Sequence, residues 1–192
     1  MATLYYQKDE PYSQRVLLAF AYVNPVCEKI AVANVDSLPE AYAECSLPLV
    51  IDGEEVMDNS LEIMDWVLEP MEKASWIDWD LDEMDDSVYL LEVCDGPFND
   101  YLQEYLYADS PEQRNEAAEC AVGFLKQVDS LLQSSEYLLK DQPMLVDFAI
   151  LPLLLRFIRQ EPSFWQASIP PKLGAWIKKL LADPVCEGIL RE

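Results

Sequence analysis

The side chains able to do chemistry in this sequence are few, and they are hydroxyls, carboxylates and amides, with no histidine anywhere. The lack of imidazole excludes a Ser-His relay and effectively excludes zinc ligation and histidine acid–base work. The five cysteines (Cys27, Cys45, Cys94, Cys120 and Cys186) are scattered and odd in number, with no CxxC pair. That pattern favours reduced thiols in a cytoplasm over a disulfide framework. What remains is Tyr5-Tyr6 at the end of a first apolar run, Glu10 and Ser13 around Pro11-Tyr12, and Asn59-Ser60 ahead of an apolar segment. Asn59 with Glu62 three residues later reads as a capping box. The N–H groups and positive dipole end of such a helix start suit a carboxylate. Glu10, at another helix start, is held ionised by the same field.

These residues need elements to hold them. Thr3-Leu4-Tyr5-Tyr6 reads as a first strand, on which Tyr5 and Tyr6 point to opposite faces, so only one can face a site. Pro11 opens a helix to about Tyr22, with Val16, Leu17, Phe20 and Ala21 as its apolar stripe. Val26 to Ala33 is a second strand and Leu38 to Cys45 a short helix. Leu47-Pro48-Leu49-Val50-Ile51 and the segment from Glu54 form a hairpin about a turn at Asp52-Gly53. A helix then runs from Ser60 to about Met71. The stretch from Trp76 to Glu83 breaks the pattern and reads as a linker. Beyond it the chain is helical: Met84 to Val93, ending at Asp95-Gly96-Pro97; Phe98 to Tyr107; and a long helix capped by Ser110, with Pro111 first, to about Gln133. An all-round apolar segment from Leu145 to Arg159 belongs at a bundle centre, and Lys172 to Leu181 is amphipathic.

At 192 residues, with half of them apolar, the chain can build one large or two small cores. No apolar run is long enough to span a membrane. The net charge of −23 argues against binding nucleic acid through phosphates. Acidic residues concentrate between Asp52 and Glu104, where Lys73 is the single base. That reads either as solubility or salt adaptation, or as an acidic docking face for a basic partner.

The order strand, helix, strand, short helix, hairpin, helix, with a proline just before the hairpin and Asn59-Ser60 at the helix start, resembles the glutathione-binding half of glutathione S-transferases. Pro11-Tyr12-Ser13-x-Arg15-Val16 is similar to the Cys-Pro-Tyr-(Cys/Ser)-x-Arg-Val segment of bacterial and omega-like members. Asp58 to Trp66, Asp95-Gly96-Pro97-Phe98 and Tyr105-Leu106-Tyr107 resemble small bacterial transferase-like proteins over nearly the whole chain. The resemblance implies the glutathione S-transferase fold: an α/β thioredoxin-like N-terminal domain over 1–72, a linker over 73–83 and an all-α helical domain over 84–192. It implies that Leu47-Pro48 is cis and that glutathione, as co-substrate, is held by the Leu47 backbone beside Pro48 and by Asn59 and Ser60. Glu10 and Tyr12 stand at the start of the first helix, and Tyr6 or Ser13 supplies the catalytic hydroxyl. A packing role for Tyr6 stays open.

The sequence departs from the family in four places. Glu10 stands where the reactive Cys or Ser falls, and a carboxylate there repels a thiolate. Asn59 replaces the acidic member of an acidic-Ser pair. Between Ile30 and Glu72 there is no base to meet the glycine carboxylate of glutathione. Met144 replaces the Ser/Thr of the core-helix Ser/Thr-x-x-Asp box, leaving only Asp147.

Two functions follow from the resemblance. One is a cytoplasmic, dimeric enzyme joining glutathione to a small-molecule electrophile, with an apolar acceptor near Tyr101, Tyr105 and Phe157. The other is a non-catalytic binding protein of the same fold, similar to stringent starvation protein A, that offers its acidic surface to a basic protein. Reductase or isomerase work on a positively charged substrate is a third. Nucleic acid, membrane and metal are not expected partners.

Overall fold

Alternating burial shapes the first strand, β1 (Ala2–Tyr6): Ala2 and Leu4 are buried while Thr3 and Tyr5 are half-covered. β1 pairs in parallel with β2 (Cys27–Ala31), from Ala2 opposite Cys27 to Tyr6 opposite Ala31. On its other side it pairs antiparallel with β3 (Leu49–Asp52), Tyr5 opposite Leu49. β3 turns back into β4 (Glu55–Met57), giving the strand order β2-β1-β3-β4. The hairpin closes one residue later than the Asp52-Gly53 signal suggests. Asp52 pairs with Glu55, so Gly53 and Glu54 are the central pair, and Gly53 supplies the positive φ of 64°.

The computed structural model describes residues 1–70, 81–160 and 169–191. The chain divides into two units, Met1–Ala74 together with Leu181–Glu192, and Ser75–Leu180. Sequence reasoning alone places 181–192 with the helical region; the structure groups it with the sheet.

In the first unit, α1 (Pro11–Val23) and α2 (Ser60–Leu68) pack on each other. α1 buries more of its circumference than an amphipathic stripe requires. Leu18 and Ala19 are buried with Val16 and Phe20, whereas Leu17 and Ala21 are half-exposed, so the expected stripe is rotated. The short helix expected over Leu38 to Cys45 is instead a pair of 3-10 turns, Val35–Ser37 and Glu40–Tyr42, the second set off by Pro39. With only Leu38 buried in that stretch, no apolar face exists to stabilise a longer helix. Of the residues expected to continue α2, Met71 lies outside those described, as do linker positions 73–80. Leu81 to Glu83, expected as linker, already belong to α3 (Leu81–Val93).

In the second unit α3 does not stop at Gly96-Pro97. A π-helical turn, Cys94–Phe98, carries the chain straight into α4 (Asn99–Tyr107). The wider turn absorbs the N–H that Pro97 lacks, and the Asn99 N–H reaches Cys94 O. Cys94 and Phe98 are fully buried there, and that packing outweighs the breaker signal. Phe98 stacks at 4.9 Å from Phe124 of α5 (Pro111–Leu131) and at 5.6 Å from Phe157 of α6 (Leu145–Gln160). Ser110 caps α5 by accepting from Gln113 N at 3.2 Å, and Gln113 Oε1 accepts from Asp109 N at 3.1 Å.

Asp147 fastens the buried helix α6. Its carboxylate is fully buried and accepts from Met144 N (2.8 Å), Leu138 N (3.1 Å) and the Trp176 indole N–H (2.8 Å). Trp176 sits on α7 (Pro171–Leu181), so one side chain joins a loop, a helix start and a second helix. The half-box left by Met144 is therefore completed by backbone and indole donors. Burial outweighs these donors and pushes the Asp147 carboxyl up to about 6. The last helix, α8 (Pro184–Leu190), was not expected from sequence. Asp183 caps it by accepting from Val185 N at 2.8 Å, and it packs on α1 with Cys186 and Leu190 buried.

Candidate functional site

The sheet register brings the expected site residues to one edge. β1 ends at Tyr6, and because Tyr5 faces Leu49, the chain entering β3 through Leu47-Pro48 lies beside Tyr6 and Gln7. β4 ends at Met57 opposite Val50, so Asp58, Asn59 and Ser60 leave from that same edge. α1 begins four residues after β1 ends, which places Glu10 there as well. Two strand ends and two helix starts therefore converge. Leu47-Pro48 is cis, as expected.

The β1–α1 loop is held by its own side chains. Ser13 Oγ accepts from Gln7 N at 3.1 Å, and Ser13 N donates to Glu10 Oε2 at 2.7 Å, so Glu10 is the N-cap of α1. Glu10 N in turn donates to Gln7 O, and Gln14 Nε2 reaches Lys8 O at 3.4 Å. Ser13 is fully buried within this knot, whereas Tyr6 is half-buried at the strand's end. Tyr12 is also half-buried, and the Arg15 guanidinium lies over its ring at 4.6 Å. Arg15 itself is fully buried. A buried cation therefore sits one turn into α1, against the Tyr12 ring.

The opposing half of the edge is built around α2. Asn59 Oδ1 accepts from Leu61 N at 2.9 Å and Glu62 N at 3.2 Å, which leaves Asn59 as the sole acting half of the expected box among the described hydrogen bonds. Asn59 is exposed and Ser60 nearly buried. Asp58, which sequence reasoning passed over, accepts from Ser46 N at 2.9 Å and pins the loop leading to Leu47. Its signal was present, since tandem Asp-Asn before a helix offers one side chain to each flanking segment. Among the described hydrogen bonds, neither the N–H nor the C=O of Leu47 has a protein partner.

Chemically, the edge offers a backbone amide and carbonyl at Leu47 without a partner among the described hydrogen bonds, a phenol at Tyr6 and a capped helix start. The charges flanking these starts are Asp9, Glu10, Asp58 and Glu62 against Lys8. Two of the thiols contribute little. Burial raises the Cys27 pKa and lifts that of Cys186 to about 12, so neither supplies a thiolate at neutral pH. Among the described residues no group of acidic or thiol side chains could hold a metal, and no helix is long and apolar enough to cross a membrane. Tyr105 and Phe157, expected near an acceptor, are core rings 5.5 Å apart and buried. Their burial removes them from any open acceptor surface.

No family model matches the sequence, and no curated protein matches it. Solved structures do match. A glutathione transferase, Omega 3C from Trametes versicolor, aligns with a TM-score of 0.83 at 16% identity, over 96% of this chain and 86% of its own. The transferase URE2P6 from Phanerochaete chrysosporium, in complex with oxidised glutathione, gives 0.82 at 19% over 98% and 94%. A family member from Pseudomonas fluorescens with two glutathione bound gives 0.83 at 13% over 98% and 92%. The chain has the glutathione S-transferase fold, an α/β thioredoxin-like unit followed by a helical one.

Proposed function

We propose that this protein binds glutathione at the convergent sheet edge and acts as a tyrosine-type glutathione transferase of low activity. The observation that carries the reading is Leu47, whose peptide N–H and C=O have no protein partner among the described hydrogen bonds, beside the cis Pro48 and one residue after Ser46, which is tied to Asp58. An extended peptide-like ligand can pair with that backbone as an added strand pairs with an edge. The N-terminus of α2, with Asn59 and Ser60, receives its α-carboxylate. Tyr6 is the catalytic hydroxyl in this reading. A phenol donating to sulfur favours the thiolate over the thiol, and the thiolate is the nucleophile that attacks an electrophilic carbon. Ser13 is the weaker candidate, because its hydroxyl is buried and engaged by Gln7 N.

Glu10 limits the reaction. Its carboxylate is fixed at the start of α1 by the Ser13 N–H, and a negative charge within ~4–6 Å of a thiol raises its pKa. Calorimetry with glutathione, together with conjugation assays on wild type, Glu10→Ser, Glu10→Cys and Tyr6→Phe, tests the reading. Glu10→Ser, which retains a capping oxygen, is expected to raise the rate about tenfold, a change of ~1.4 kcal/mol in barrier. Tyr6→Phe is expected to abolish it. Four equally inactive proteins with no glutathione binding would end the proposal.

The anchored Glu10 also favours a second reading. A fold whose thiol site carries a fixed carboxylate, on a chain of net charge −23, serves as a binding protein for a basic partner. In that case Glu10→Ser changes nothing measurable, and the partner is released by salt. We further propose that the protein functions as a homodimer in the cytoplasm, its association strengthening as salt screens the acidic surfaces. Sedimentation across salt concentrations tests that.

A further inference from the structure

At the opposite end of the same sheet lies a cavity of about 650 Å³ that the glutathione reading does not use. It forms where β1 begins, β3 ends, and α1 and α2 both terminate. Ala2, Val23, Trp66 and Val67 supply apolar walls, and Asp52 and Glu69 line it with carboxylates. Its volume falls in the range of small-molecule sites, roughly 300–1,000 Å³.

Three features make the lining of this cavity negative on balance. Among the described lining residues no basic side chain accompanies the two carboxylates, and Met1 brings one positive group, its α-ammonium, against their two negative ones. α1 ends there at Val23, with Asn24 in the left-handed conformation, and α2 ends there at Leu68, with Glu69 as cap. Each helix presents its last carbonyls and the negative end of its dipole, and neither has a base in its last turn. Trp66 adds an aromatic wall, half-exposed and 6.3 Å from Phe20. The nearby cation, Lys29, lies over the Phe20 ring at 5.6 Å and is not among the lining residues.

We propose that this cavity binds a small hydrophobic organic cation, an ammonium carried on an aromatic or aliphatic body. The body fills the apolar walls, and the ammonium meets Asp52, Glu69 and the two helix ends, with the Trp66 face within reach of a cation–π contact. The site is separate from the edge where glutathione is proposed to bind. The two sites lie at opposite ends of β1, and they select opposite charges.

The test uses benzyltrimethylammonium and its uncharged carbon isostere, neopentylbenzene, titrated at ~0.15 M salt so that the protein's general field is screened. Affinity is read by calorimetry and by the Trp66 indole signal in nuclear magnetic resonance, assigned with Trp66→Phe. The cation is expected to bind about tenfold tighter than the isostere. The double variant Asp52→Asn/Glu69→Gln is expected to cost the cation about tenfold and the isostere less than twofold. Val26→Arg, at an 86% exposed rim position, changes no packing and should weaken the cation alone. Saturating glutathione should leave both affinities unchanged. Equal binding of cation and isostere overturns the proposal. So does a cation affinity that survives both variants, or a Trp66 signal that no probe moves.

Discussion

Two carboxylates at helix starts, one in each unit, behave in opposite ways. Asp147 is fully buried at the start of α6 and takes three N–H donors, from Met144, Leu138 and Trp176. Glu10 is half-exposed at the start of α1 and takes one described donor, Ser13 N. The first is a fastener whose every bond is spent inside the protein. The second caps its helix from a half-exposed position at the sheet edge, where Leu47 has backbone groups with no protein partner among the described hydrogen bonds. Burial is therefore what separates a structural acid from one that solvent and ligands can reach.

The largest expected effect tests the fastener. Asp147→Ala strands three donors and opens a cavity, and should cost about 3 kcal/mol of unfolding free energy. Removing one donor, Trp176→Phe, should cost about 2 kcal/mol, since a bond to a charged acceptor is lost while two remain. Chemical denaturation measures both. A loss below ~1 kcal/mol for Asp147→Ala would break the contrast, because the node would then be no more than a surface cap.

The pH dependence sharpens it. The folded-state pKa of Asp147 lies above its ordinary value, at about 6 against 3.8, so the native state holds that proton more tightly than the unfolded chain. The resulting stabilisation is complete below the unfolded value and is lost as pH rises through about 6. Wild type should therefore gain on Asp147→Ala by roughly 1 kcal/mol between pH 7 and pH 5. A gap that is flat or shrinks on acidification would mean that the carboxylate titrates as an exposed one does.

The smallest effects belong to the open edge. Glu10→Ala removes a cap and should cost ~1 kcal/mol or less, with Glu10→Ser recovering most of it. Asn59→Ala should cost a similar ~1 kcal/mol, and under the proposed function it should also weaken glutathione binding. If either approached the loss at Asp147, the first unit's helix starts would be fasteners too, leaving little free for a ligand.

What could be read ahead of the structure was mostly local. Gly53, the Asn59 and Ser110 caps and the apolar run of α6 announce themselves within a few residues, whereas the cis bond at Pro48 followed from the family resemblance. What could not be read depended on distant partners. Trp176 reaches Asp147 across 29 positions, and Asp129 accepts from Leu173 N across 44. Pro97 reads as a stop, yet the burial of Cys94 and Phe98 turns it into a π-helical turn. Of the candidate site, the positions at the edge were legible, because strand ends and helix starts leave local marks. The burial of Ser13 and the bond from Ser46 to Asp58 were not, since both depend on how loops fold back. Asp183-Pro184 is the local mark of α8, an N-cap followed by a first-turn proline.

α8 sets the order in which the first unit can be assembled. The sheet and its two helices are made first during synthesis, yet Leu190 and Cys186, which close α1, follow more than a hundred residues of the other unit. The earliest part of the chain is thus the last to be completed. Until residues 184–190 leave the ribosome, the nascent α1 carries an uncovered apolar strip, which is the kind of surface that chaperones hold. A chain stalled before residue 184 should stay protease-sensitive in its first 70 residues long after the helical unit has become resistant.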